Sequence, residues 1–519
     1  MRNYAKKRIL IIAVALLVLV SGCADNEEIN IESPEIPQIQ SMEEEARIEY
    51  DIPKSNPHIL VDQLGYPVNE TKQALFFGNE LPENFKVISK ADNQIAYVGT
   101  LEKCGYSDEY GCNVSVGDFT ELISEGEYYI QSELLGTSYD FSIAPDIYDG
   151  IFHEACKNYF YNRCGVTLTE NLAGSKAHNA CHTGSSILRE DVTSSLDVSG
   201  GWHQDANGSK NVEMAAYALA NILLSYEIFP SVYTDDFEIP ESGNGIPDIL
   251  DEAKYEIDWL LKMQKPTGDV YSALTIPEGD NKSSVSYVEA STLEATAAFA
   301  FSLAKFSYLY KEYDKEYATY CLKAADKAIK YINKNNKDKK IIDWNTAANF
   351  EIYRASGSKE CKKYIDEYLA NSEIEEINDI AYYGCITYLN TKMPVDVKHC
   401  EKLMKIIMKQ AESISEKSRD ASFLVPFGID QQDNSVLLDS MVQMSIVDYI
   451  IANHEYDNIM ENYLHYFLGR NPECIVYIDD IGSNNYIDNP DSVGIMKQFI
   501  DNSKLILMMS KISSIDIHK

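Results

Sequence analysis

The chain is poor in positive charge. Its 45 lysines and arginines face 81 aspartates and glutamates, a formal net charge of −36. That deficit excludes nucleic acid as a partner, because phosphates would be repelled rather than exchanged for counterions. Tryptophan is scarce too: among 519 residues only Trp202, Trp259 and Trp344 occur, against 36 tyrosines. No internal repeat is evident, which disfavours a helical solenoid. Glutamate is absent after Glu473, and the N-terminal apolar run ILIIAVALLVLV is too short for a comfortable membrane span. The length allows two or three domains and a large core.

Lys6, Lys7 and Arg8 precede that apolar run, and VSGC ends it at Cys23. Residues 1–23 resemble a bacterial lipoprotein signal, which implies export, removal of the run and a lipid on Cys23 that anchors the chain to the outer face of the cell membrane. An uncleaved anchor and an ordinary secretory signal are the alternatives. Residues 24–57 are acidic and dotted with proline, with too little apolar area to offset chain entropy, and read as a disordered tether. Eleven cysteines in an exported chain permit disulfides. Cys104 and Cys112, flanking GYSDEYG, form either a pair or two free thiols.

From 58 to 144 short apolar strands alternate with turn signals: HILVDQLGY, KQALFFG, FKVIS, IAYVGTL, CNVSVGDF, EGEYYIQS and SYDFSIAP. Seven strands without helical period predict an immunoglobulin-like β-sandwich. From 146 to 519 the period changes to three and four, as in Val212, Ala216, Leu219, Leu223 and Tyr226. The pattern predicts helices near 148–162, 211–228, 247–264, 288–312, 314–334, 343–356, 358–371, 376–390, 396–416, 434–452, 455–468 and 494–512. Twelve is the number an (α/α)6 barrel requires, although pattern alone supports only a large all-α domain.

Several blocks carry a resemblance. ILVDQLGYPVNETKQALFF, RCGVTLTENLAGSKAHNACHTG, DVSGGWHQDANGSK, ESGNGIPDILDEAKYEIDWLLKMQ and FLGRNP stand in the order found in family 9 glycoside hydrolases that carry an N-terminal immunoglobulin-like module. The resemblance implies an (α/α)6 barrel and an inverting cellulase-type hydrolase, in which one carboxylate activates water and a carboxylic acid protonates the leaving oxygen. Aligned without a gap, the family's two base-motif aspartates fall on Gln204 and Asn207. Neither amide can accept a proton at neutral pH. Asp205, one residue out of phase, is a substitute base only if the turn is rearranged. If Asn502 and Ser503 align with the family's Asn-Ser, the acid falls at Met496. Asp479, Asp480, Asp488, Asp491 and Asp501 are then the conceivable substitutes. No histidine lies between Gly482 and Asn502, where the family carries a substrate-binding loop. In VYSALT, Ser272 and Ala273 stand where the family tends to place His and Lys.

The resemblance also implies a structural zinc held by Cys164, Cys181, His182 and His203, a thiolate and imidazole set suited to tetrahedral coordination. His178 is an alternative ligand, and a Cys164–Cys181 disulfide is the competing arrangement. Trp202 is expected at a cleft by its place in the motif, whereas Trp259, inside an apolar helix stripe, is expected in the core. Together these readings predict a surface-anchored homologue that binds a β-linked glycan and has lost its catalytic carboxylates. The alternatives are an active hydrolase with relocated carboxylates and an interaction module without sugar binding.

Overall fold

The computed structural model describes residues 50–277, 285–337, 343–370, 374–426, 434–452, 454–478 and 494–518. Cys23, residues 24–49 of the expected tether, and Asp479, Asp480, Asp488 and Asp491 lie outside the described residues. The last part of the tether is corrected at its two ends: Tyr50, Asn56 and Pro57 are fastened to the folded chain, while most of the residues between them are exposed. Tyr50 lies 4.4 Å from the Tyr129 ring, Asn56 Nδ2 donates to the Glu473 carbonyl at 2.9 Å, and Pro57 is buried.

The N-terminal module is a β-sandwich of nine strands rather than seven; with β3 at Gln73–Gly78 and β7 at Gly126–Ser132, the order is β1-β3-β6-β5-β4-β7-β9-β2, with β8 beside β7. HILVDQLGY splits into β1 (Ile59–Leu60) and β2 (Gly65–Tyr66). The cause is Asp62, whose Oδ1 accepts from the Leu64 and Gly65 amides and turns the chain. Gly65 makes the corner possible, because a Cβ there would run into the Ser142 carbonyl. SYDFSIAP likewise falls partly outside β9 (Phe141–Ile143), with β8 (Gly136–Thr137) preceding it. Strand β5 (Ile95–Ser107) pairs first with β4 (Asn84–Ser89) and then with β6 (Cys112–Asp118), joining the two layers. Its register sets Cys112 opposite Ser107 rather than Cys104, so the two cysteines are not facing partners. Both are free thiols, as are all cysteines among the described residues.

The helical domain contains twelve helices longer than ten residues among the described residues: α1 (Asp149–Tyr161), α3 (Val212–Ile228), α4 (Asp248–Met263), α5 (Leu293–Tyr310), α6 (Lys315–Asn335), α7 (Asp343–Ser356), α8 (Lys359–Leu369), α9 (Asp379–Leu389), α10 (Val397–Asp420), α11 (Asn434–Ile451), α12 (Asp457–Phe467) and α13 (Phe499–His518). A single turn, α2 (Glu170–Ala173), follows α1. They build an (α/α)6 barrel. Helices α3, α5, α7, α9, α11 and α13 form the inner ring, with α13 packed on α3, α3 on α5, α5 on α7 and α7 on α9. The sequence explains the sorting. Helix α3 is buried nearly all round, through Ala215, Ala216, Ala218, Leu219, Ala220, Ile222 and Leu223, and its alanines let neighbours approach. Helix α6 buries only a stripe containing Ala318, Cys321, Ala325, Ala328 and Ile332, as an outer helix must.

The FLGRNP block, ending at Pro472, is the joint between sandwich and barrel. Gln63 donates from its amide to the Leu468 carbonyl at 2.8 Å, Arg470 reaches the Gln73 carbonyl at 3.2 Å, and His465 meets Asp62 at 2.8 Å. Inner helices run parallel, so their N-terminal turns share one rim. There Tyr217 of α3, Trp344 of α7 and Tyr383 of α9 pack edge to face, with centroids 5.7 and 6.2 Å apart.

Candidate functional site

The loop entering α3 carries GGWH. Its strand-like stretch pairs with the chain leaving α1: Cys164 donates its amide to the Gly201 carbonyl and His203 donates to the Asn162 carbonyl, each at 2.8 Å. A third segment is brought in by the bridge between Leu168 and His178. Cys164, Cys181, His182 and His203 thereby converge, with one donor atom from each lying within 4.8 Å of all the others. Cys181 Sγ is 3.3 Å from His203 Nε2 and Cys164 Sγ is 3.6 Å from His182 Nδ1. A tetrahedral zinc at about 2.3 Å from sulfur and about 2.0 Å from nitrogen would space its ligand atoms roughly 3.3–3.8 Å apart, so the residues fit the ion. The Cys164 S–H holds the Cys181 thiol far below its ordinary range, and sharing with Cys181 pushes Cys164 up. Neither is in a disulfide. His178 stays outside the set, its Nδ1 on the Asn179 carbonyl and its ring 6.4 Å from His203.

Two backbone features shape this pocket. His182 takes a left-handed φ of 47°, uncommon for a residue with a side chain. Gly208 closes the far wall, where a Cβ would sit 2.7 Å from His182 Cε1 and 3.2 Å from His203 Cδ2.

Trp202 is corrected: it has 0% exposure and offers nothing to a cleft. Its amide donates to Glu256 Oε2 at 2.7 Å and its indole Nε1 to Glu252 Oε1 at 2.6 Å, while its ring packs against Tyr159 at a tilt of 44°, centroids 4.5 Å apart. Glu252 and Glu256 stand one turn apart on α4, so the LDEAKYEIDWL block serves as the bracket for the GGWH turn. Arg163 completes it by donating to Glu252 and to both oxygens of Glu241. Trp259 is also fully buried, against Gly201.

Gln204 is engaged by the backbone. Its Nε2 donates to the Asn211 carbonyl at 3.0 Å and its Oε1 accepts from the Asn211 amide at 2.6 Å. Asn211 in turn caps α3, accepting from the Glu213 and Met214 amides. The amide uses both its donor and its acceptor here, and a carboxylate has only acceptors. Asn207 is half-buried. Asp205 is exposed and turned onto its own loop, its Oδ1 accepting from the Asn207 and Ser209 amides at 2.9 Å. Met496 is 5% exposed on a short turn fixed by Asn158 Nδ2, which donates to its carbonyl at 2.7 Å. Asp501 is 4% exposed and held by Lys504 at 3.3 Å and Ser435 at 2.8 Å. Ser272 and Ala273 act through their backbone, joining the loop to α3: Val212 donates to the Ser272 carbonyl and Ala273 pairs with Asn211.

The rim holds groups that motif reasoning passed over. Asp439 of α11 meets Lys504 at 2.7 Å; burial pushes its carboxyl up, Lys504 opposes, and Asp379 and Asp501 add to the rise. Burial raises the Tyr217 hydroxyl, with Asp379 and Asp439 next in effect. The signal for these residues is position alone, since all lie in the first two turns of inner helices.

Comparison with known proteins agrees with this architecture. Residues 148–506 match the family model described as glycosyl hydrolase family 9, and residues 54–136 that of the cellulase N-terminal ig-like domain. A cellodextrinase of Butyrivibrio fibrisolvens is 27% identical over 82% of this chain and 85% of its own length. Endoglucanase D of Acetivibrio thermocellus is 25% identical over 82% and 73%. The crystal structure of a metagenome-derived family 9 endoglucanase superposes with a TM-score of 0.78 at 23% identity, covering 88% of this chain and 99% of that one, which shows the shared fold. With the family model spanning most of the helical domain and the sandwich matching the module that precedes it, the chain belongs to glycosyl hydrolase family 9.

Proposed function

We propose that this chain binds β-linked gluco-oligosaccharides at the rim of its barrel without hydrolysing them. The observation that carries this reading is Gln204, whose amide occupies the position that the family resemblance assigns to the first of the two aspartates that address the water and is committed on both faces to Asn211; the second position, that of the base itself, falls on Asn207, also an amide. Met496 supports it from the acid side, because a buried thioether has no proton to give. The relatives named above are a cellodextrinase and an endoglucanase, so cello-oligosaccharides are the substrates and ligands to try first. Cys164, Cys181, His182 and His203 would hold a structural zinc, whose contribution is to tie three loop segments together. Lipidation at Cys23 would present the protein on the outer face of the cell membrane.

The test pairs calorimetric binding of cellotetraose and cellohexaose with product analysis after prolonged incubation. Saturable binding without new reducing ends supports the proposal. Turnover by the native chain would replace it with a hydrolase using relocated carboxylates, for which Asp439 and Asp379 are the first residues to substitute. Neither binding nor turnover would leave an interaction module.

A further inference from the structure

Lys210 closes the GGWH loop and is only 1% exposed. A buried ammonium is costly unless its donors are used, and an apolar side chain of similar length would fill the space more cheaply. Its donors are used. Nζ donates to the Gly200 carbonyl at 2.5 Å and the Val198 carbonyl at 3.3 Å, and it lies 5.2 Å over the Trp259 ring. The Cys164 thiol and the Glu256 carboxylate are its other neighbours. Glu256 has no exposure; one of its oxygens takes the Trp202 amide, and the other has no hydrogen-bond partner. Lys210 and Glu256 therefore bracket the turn 198–202 from opposite ends, one binding its carbonyls and the other its amide. That turn is the segment through which His203 reaches Cys164, Cys181 and His182.

The turn needs such support. Gly200 and Gly201 adopt φ values of 95° and 72°, conformations that a free chain with two glycines would not hold. Gly201 can be nothing else, since a Cβ would lie 2.7 Å from Trp259 Cγ and 2.9 Å from Glu256 Oε2. The backbone is thus flexible by composition and fixed by two buried polar side chains, Lys210 on its carbonyls and Glu256 on its amide.

We infer that Lys210 is a positioning residue for the four-donor set: by holding the Val198 and Gly200 carbonyls it locks the turn 198–201, whose Gly201 carbonyl accepts from the Cys164 amide, so that the donors are pre-organised for a divalent ion. The inference rests on the zinc reading above. Outer partners of metal ligands typically contribute about 10- to 100-fold in affinity, and a lysine supplies both orientation and charge against a thiolate.

The experiment measures zinc affinity of the intact chain by competition with a chromogenic chelator, for the native protein, Lys210→Met, Lys210→Arg and Glu256→Gln, with melting curves taken in saturating zinc. Lys210→Met should bind zinc about 10- to 100-fold more weakly while remaining folded in excess metal, and Lys210→Arg, which keeps the charge but cannot centre it between the two carbonyls, should lose less. A purely structural role would lower the melting temperature and leave the affinity of the folded protein unchanged, which overturns the inference while the zinc reading stands. Native protein that takes up no zinc overturns the zinc reading, and the inference with it. Should Lys210→Met fail to fold, Lys210→Arg decides: weaker zinc binding supports the role, and native affinity refutes it.

Discussion

Restoring the family's two aspartates, Gln204→Asp with Asn207→Asp, should not create a hydrolase and should weaken the fold. At 204 the change removes one methylene and the only donor. The side chain then loses its bonds to the Asn211 carbonyl and amide, now 3.0 and 2.6 Å, and brings an anion toward a carbonyl. Each such bond is worth about 0.5–1.5 kcal/mol net. If the displaced Asn211 loosens its cap on α3, about 1 kcal/mol more goes with it, so the expected loss is roughly 2–4 kcal/mol. Melting temperature should fall by several degrees, since about 2–4 °C accompanies each kcal/mol in domains of 150–250 residues and less in a larger unit. On the chemical side a well-placed base contributes about 10²- to 10⁴-fold, and a missing acid forfeits a comparable factor. The buried Met496 turn supplies no acid. The assay follows reducing ends from cellohexaose and mixed-linkage glucan for native and doubly substituted protein, beside their melting curves. Hydrolysis by the double variant at an unchanged melting temperature would refute both parts of this reasoning: Gln204 would not be a brace, and an acid would survive at the rim.

Cys164→Ser should lower zinc stoichiometry from near one per chain toward zero and reduce the melting temperature, because metal binding at such a site is part of the folding free energy; equal zinc content in the two proteins by elemental analysis would contradict the assignment. A reporter fused after the first thirty or so residues should label with a fatty-acid probe and lose the label in Cys23→Ala, whereas a lipid-free secreted reporter would exclude the anchor. At the joint between the modules, burial holds the Asp62 carboxyl up at about 8, above its ordinary 3.8. The folded state therefore keeps a proton that the unfolded chain has released, and the stability this group contributes is full below the unfolded value and lost as pH rises through 8. Native protein should lose stability to denaturant between about pH 4 and 8 more steeply than Asp62→Asn, the difference levelling off above 8; parallel slopes would show that the carboxyl is ionised in the fold.

The amino-acid sequence determined the elements. Periods of three and four set ten of the twelve helices within about four residues of their positions, because an inner or outer helix declares its buried face in local order, and missed the start of α5 and both ends of α13 by five or six. Where the sequence reading missed, the cause was nonlocal. HILVDQLGY has the composition of one strand, and the Asp62 side chain breaks it into two. The aromatic in a sugar-binding motif suggests a cleft, yet Trp202 is buried because Glu252 and Glu256, fifty residues away, capture both of its nitrogens. Gln204 looks like a lost aspartate until its two bonds to Asn211 show a side chain used for its amide. Cys104 and Cys112 are close in the chain but displaced in register, whereas Cys164, Cys181, His182 and His203 are scattered in sequence and gathered by bridges between loop segments. The rim of Tyr217, Trp344, Asp379 and Asp439 had no motif at all. Only closure of the inner helices into a ring brings these side chains together, since each belongs to a separate helix whose own sequence says which face is buried but not which neighbours it will meet.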